Sequence, residues 1–169
     1  MSAEFAFFSS IALSFFAWGQ VTSRYIWPRL RLLPSPEAIQ PLLILHSFRF
    51  LGLAFLVPGV VSTDLPPAFA HAAAYGDVIA ATLAVLSLFT QSQGIGVVLV
   101  WIFNLWGTAD LLNAFYRANT TGLSPGQLGA TYFIPTLVVP MLLITHAVVF
   151  RLLLQPSSEA AAQQRQLAA

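Results

Sequence analysis

The chain has 169 residues, of which 57% are hydrophobic and only 8% charged, with seven basic and six acidic side chains and a net charge near +1. A soluble domain carries roughly a quarter charged residues, so the composition is that of a membrane protein, and with no basic patch to neutralise phosphates, nucleic acid is not expected as a partner. All seven basic residues are arginine and cysteine is absent, which excludes lysine Schiff-base chemistry, disulfides, thiolate metal sites and covalent haem attachment.

The apolar runs predict an all-α bundle of five transmembrane helices, over about residues 5–22, 39–61, 72–90, 94–116 and 131–154. Each has about the 20 residues needed to cross roughly 30 Å of hydrocarbon. Residues 1–154 form one membrane domain and residues 155–169 a flexible cytoplasmic tail. The first run lacks the basic flank and small-residue cleavage site of a signal peptide, so it reads as a retained helix. Pro41 opens the second in its first turn, where a missing N–H does no harm. Gln91-Ser92-Gln93 is a clipped connection between the third and fourth. Pro135 and Pro140 strip hydrogen bonds from the carbonyls of Thr131 and Thr136 and predict a bent fifth helix with room for a pocket beside the second.

Positive charge collects on cytoplasmic loops. Arg24, Arg29 and Arg31 follow the first span, and the C-terminal end carries Arg151 and Arg165. The N-terminus is therefore expected outside and the C-terminus in the cytoplasm. Tyr75, Tyr116 and Tyr132 fall at the outer helix ends, and Tyr25 and Trp27 just past the inner end of the first span, as interfacial belts require.

Arg49, sunk in the second span, costs on the order of 2.5–3.5 kcal/mol at a bilayer centre unless something answers it. Counting about 1.5 Å per residue from the outer face puts Asp77 and Asp110 in a layer roughly 7 Å deep and His46 and His146 roughly 21 Å deep, with Arg49 and Asn104 between. Arg49 with either aspartate makes a fork-shaped ion pair. One carboxylate is then left over, free to carry a proton, act as a general acid or bind a ligand. The competing expectation is that the ion pair only registers the helices. His46 and His146, at one depth, could clamp a haem iron; no metal-ligand spacing accompanies them, so neither metal nor cofactor is expected. Ala72, Gly76, Ala80 and Ala84 form a small-residue stripe on the third helix, a face for a second copy or a membrane-complex partner. Membrane lipid is the remaining expected partner.

Four motifs carry a resemblance: His46-Ser47-Phe48-Arg49-Phe50-Leu51-Gly52, Leu65-Pro66-Pro67-Ala68-Phe69-Ala70, Tyr75-Gly76-Asp77 and Asn104-Leu105-Trp106-Gly107-Thr108-Ala109-Asp110. In these the chain resembles a group of small bacterial inner-membrane proteins with an Arg-x-x-Gly helix, a Leu-Pro-x-x-Phe-Ala turn, a Gly-Asp helix and an Asn-x-x-Gly-x-x-Asp helix. The resemblance covers the second to fourth helices. It implies a bacterial inner-membrane location and a single site of Arg49, Asp77, Asn104 and Asp110, and it implies no activity. In size and span count the chain is also similar to tryptophan-rich, porphyrin-binding membrane proteins, but their loop motifs are missing, so this likeness is one of architecture. Three functions follow as expectations. The first is binding or passage of a small lipophilic or protonatable ligand at Arg49, Asp77 and Asp110. The second is acid–base chemistry on a lipid or isoprenoid, with Asp77 or Asp110 as acid and His46 or His146 as base. The third is an accessory or scaffold role.

Overall fold

The computed structural model describes residues 2–90 and 94–155. The Gln91-Ser92-Gln93 connection and the tail from residue 156, including Arg165, lie outside them. Among the described residues there is no β-strand, and five helices are long and apolar enough to cross a membrane: α1 Ala3–Leu30, α2 Ser35–Leu56, α3 Pro67–Thr90, α4 Gly94–Thr120 and α5 Ile134–Leu153. Helices α2, α3, α4 and α5 pack in a ring in chain order, and α1 leans on the outside against α5.

Each helix departs from its sequence-derived bounds for a local reason. Ser2 caps α1, accepting from the Phe5 amide at 3.2 Å. The helix then runs on through a π turn at Thr22–Ile26 to Leu30, rather than stopping near residue 22. Pro28 has no N–H to return to the preceding turn, and a wider turn absorbs the gap. Tyr25 and Trp27 therefore sit within the helix, where the Trp27 ring receives the Arg151 guanidinium at 4.0 Å. Helix α2 begins at Ser35, so Pro41 is an interior residue and not a first-turn one.

From Phe48 to Leu56, α2 is a 3-10 helix. Three residues per turn bring Arg49, Gly52 and Phe55 into one file, and these are its three buried residues. Helix α3 gains a turn at its start because Pro67 occupies a position that needs no N–H, with Pro66 accepting from Phe69 and Ala70 at 3.0 Å. Helix α4 runs on to Thr120. In α5, Pro135 and Pro140 produce a π turn at Ile134–Val138, and the Thr136 hydroxyl donates to the Tyr132 carbonyl at 2.7 Å.

The small-residue stripe is used inside the bundle. Gly76, Ala80 and Ala84 are buried, Ala80 and Ala84 completely. Gly76 faces Asp110 of α4, and Ala84 packs among Leu43, Val100 and Phe103. The face expected to receive a partner is thus covered by the chain's own helices.

Two apolar cores fill the ends of the bundle, and a smaller one of Leu111, Val139 and Leu142 joins α4 to α5. One of the two, around Leu43, Phe103 and Val149, fills the end away from the N-terminus, where Arg24, Arg29, Arg31 and Arg151 collect. The other, around Phe55, Phe69 and Leu128, fills the N-terminal end. There the connections after α2 and α4 are stitched together. Ala130 donates to the Val60 carbonyl at 2.8 Å, Ser62 to the Gln127 carbonyl at 3.0 Å, and the Gln127 side chain to the Asp64 carbonyl at 2.8 Å. Gly129 adopts φ 54° where its α-carbon backs onto the Val60 carbonyl, a place with no room for a side chain.

Candidate functional site

Between the two cores, α2, α3, α4 and α5 each contribute a polar side chain to one cluster. Arg49 is the centre, its side chain fully buried. Its Nε donates to Asp77 Oδ1 at 2.7 Å and its Nη2 to Asp110 Oδ2 at 2.7 Å. Its Nη1 donates to the Gly107 carbonyl at 3.2 Å and lies 3.3 Å from His146 Nε2. Four of the five guanidinium hydrogens thus have acceptors on three different helices, a geometry that lysine's ammonium cannot reproduce.

The network also fixes a tautomer. The Asn104 amide nitrogen donates to the His146 carbonyl at 3.3 Å, so its oxygen is the atom 2.7 Å from His146 Nδ1. Nδ1 must then carry the hydrogen, leaving the Nε2 lone pair to accept from Arg49. Both ring nitrogens of His146 are engaged, which leaves no free lone pair for a general base. The histidines are therefore not a separate inner layer. Helices α3 and α4 each extend a turn further at the N-terminal end than their apolar runs suggested, and Asp77 and Asp110 come roughly 15 Å from the helix ends, level with the arginine.

His46 packs against His146 with ring centroids 4.1 Å apart and the planes tilted by 44°, and meets Phe103 edge-on at 5.0 Å. The Thr145 hydroxyl is committed to the carbonyls of Met141 and Leu142, so His46 Nε2 donates to it at 3.0 Å. The Nδ1 of His46 has no partner among the described residues. Two imidazoles with centroids 4.1 Å apart leave no gap for a macrocycle between them. The residues do not fit the bis-histidine haem, and no group of three potential metal ligands occurs among the described residues.

Three glycines make the cluster possible. A β-carbon on Gly52 would overlap the Asp77 carboxylate, one on Gly76 the Asp110 carboxylate, and one on Gly107 both the His146 ring and Arg49 Nη1. Three of the four motifs singled out in the sequence therefore pair a polar residue with a glycine that houses another helix's polar residue. Gly52 and Gly76 gave no chemical signal of their own; the signal lay in their fixed spacing from Arg49 and Asp77.

Above the carboxylates lies a cavity of about 400 Å³ reaching toward the N-terminal end. Phe7 and Phe8 of α1, Phe115 of α4, Leu128 of the second loop and Pro135 of α5 are among its walls, with Asp77 and Asp110 also lining it. The carboxylates keep 11% and 8% side-chain exposure, whereas the guanidinium keeps none. The site thus offers acceptors, with the cation tucked behind them.

Residues 6–154 match the family described as Domain of unknown function (DUF8737). The chain belongs to this family. The match takes in all of the site residues, so the cluster lies inside the DUF8737 domain. No curated protein and no solved structure matches the chain.

Proposed function

We propose that this DUF8737 protein is an integral protein of a bacterial inner membrane that binds or passes a small lipophilic or protonatable ligand at Asp77 and Asp110. Its N-terminus lies outside and its arginine-rich end in the cytoplasm, in keeping with the distribution of positive charge. One observation carries the ligand class: the cavity walls are mostly apolar and carry the carboxylates of Asp77, Asp110 and Glu4, while the Arg49 guanidinium lies behind the two aspartates. Each aspartate binds Arg49 through one oxygen, which leaves its second oxygen able to accept. A ligand with an apolar body and a cationic or hydrogen-bond-donating end complements this site; an anionic ligand does not. The position of both His146 nitrogens in the network favours binding over acid–base chemistry.

Thermal unfolding of the detergent-purified protein against matched amines and carboxylic acids tests this. Amines should raise the midpoint and Asp110→Asn should abolish the shift without loss of fold. Equal shifts with acids, or amine shifts that survive Asp110→Asn, would remove the proposal.

A further inference from the structure

Asp77 and Asp110 form the floor of the cavity, and a third carboxylate stands at its mouth. Glu4, in the first turn of α1, lines the same space, is exposed, and makes no ion pair among the described residues. An acid in a first turn favours the helix dipole on any face of the helix. Glu4 lies on one particular face: with Phe7, Phe8 and Ile11 it follows the spacing of a single helical stripe, and all four line the cavity. Asn119, also exposed, lines it near the end of α4.

Two counts give the distance from floor to mouth. Along α4 the lining runs from Asp110 through Ala114 and Ala118 to Asn119, nine residues at about 1.5 Å each, or roughly 13 Å. Along α1, Ser14 is level with Leu137 of α5, to whose carbonyl it donates, and Glu4 lies ten residues further on, or roughly 15 Å. Leu137 is two residues from Val139, which packs in one cluster with Leu111, the neighbour of Asp110, so both counts start from the same level. Between the ends the walls are apolar, Phe7, Ile11, Phe55 and Phe115 among them. No basic side chain lines the cavity among the described residues, and Arg117 lies off the lining face of α4. At the floor, Arg49 holds Asp77 Oδ1 and Asp110 Oδ2, which leaves Asp77 Oδ2 and Asp110 Oδ1 to accept.

We infer that the proposed ligand has two basic ends: a linear dication with one end on the aspartates, the other on Glu4 and Asn119, and a hydrocarbon spacer along the walls between. This rests on the ligand site proposed above and narrows its ligand to an α,ω-diamine that spans about 13–15 Å. A polyamine of that length does not suit the walls, because its inner charges meet only hydrocarbon, where an unpaired charge is costly.

Isothermal titration of the full-length protein in dodecyl maltoside, corrected with protein-free micelles, tests this with diaminodecane, decylamine, diaminobutane and spermine. Diaminodecane should bind up to about fivefold more tightly than decylamine, the contribution of one exposed ion pair. Glu4→Gln should bring those two affinities together. Diaminobutane is too short to span the cavity and should be indifferent to Glu4→Gln, which separates direct contact from a general effect of charge. Spermine should bind more weakly than diaminodecane. A preference for diaminodecane that survives Glu4→Gln, an equal loss for diaminobutane, or spermine binding as tightly as diaminodecane overturns the two-ended ligand. If decylamine equals diaminodecane in the wild-type protein and its binding is lost in Asp110→Asn, the two-ended ligand falls and the carboxylate site stands. If no amine binds, or binding survives Asp110→Asn, the carboxylate site falls as well.

Discussion

At the scale of single residues, Arg49 decides whether the bundle closes. Its partners come from α3, α4 and α5, and losing the guanidinium leaves two buried carboxylates facing each other. Breaking a buried pair by removing one partner typically costs about 3–5 kcal/mol. Arg49→Leu should therefore lower the free energy of SDS-induced unfolding by that much, with Arg49→Lys in between, because an ammonium meets fewer of the acceptors. An unchanged free energy for Arg49→Leu would mean that the acids are held by something else. Gly76 offers a sharper check. Gly76→Ala places a methyl group on the Asp110 carboxylate, so it should destabilise the wild-type protein and cost almost nothing more in an Asp110→Ala background, a coupling that a double-mutant cycle measures.

At the scale of elements, the irregular turns do the positioning. An α-helical α2 would swing Gly52 and Phe55 progressively away from the face of Arg49; three residues per turn keeps all three toward α3. The two loops at the N-terminal end are joined by backbone hydrogen bonds, and Leu123, Pro125 and Leu128 of the second line the cavity. Gly129 is the point of closest approach, at φ 54° against the Val60 carbonyl. Gly129→Ala combines a strained backbone with a steric overlap, and should cost at least about 1–3 kcal/mol. Hydrogen exchange should rise first at the amides of Ser62 and Ala130; if protection there is unaltered, the loops do not depend on this contact.

At the scale of the whole molecule, α1 stands apart from the four-helix ring that holds the site. It contacts α5 through Ser14, whose hydroxyl reaches the Leu137 carbonyl at 3.4 Å, and through the Arg151 contact with Trp27. Its outward face carries Phe5, Leu13 and Phe16, each more than half exposed. A chain without cysteine gives a clean background for testing orientation. In intact bacterial cells, a membrane-impermeant maleimide should label Ser124→Cys at the N-terminal end and spare Ser35→Cys at the arginine-rich end. The opposite pattern would reverse the proposed topology.

Composition and hydropathy alone determined the helical class and the number of helices long and apolar enough to cross a membrane, because a 20-residue apolar run is a property of local sequence. The identity of the polar residues was legible for the same reason: Arg49, Asp77, Asn104, Asp110 and the two histidines stand out against an apolar background wherever they lie. Their arrangement was not. Depths counted from the ends of apolar runs separated histidines from aspartates. The helices continue past those runs, and the 3-10 and π turns change the rise that the count assumes. Which residue answers which, why Gly52, Gly76 and Gly107 must be glycine, and that the carboxylates rather than the arginine meet the cavity depend on contacts between residues of different helices up to 99 positions apart in sequence. Only packing the four helices against one another could decide them.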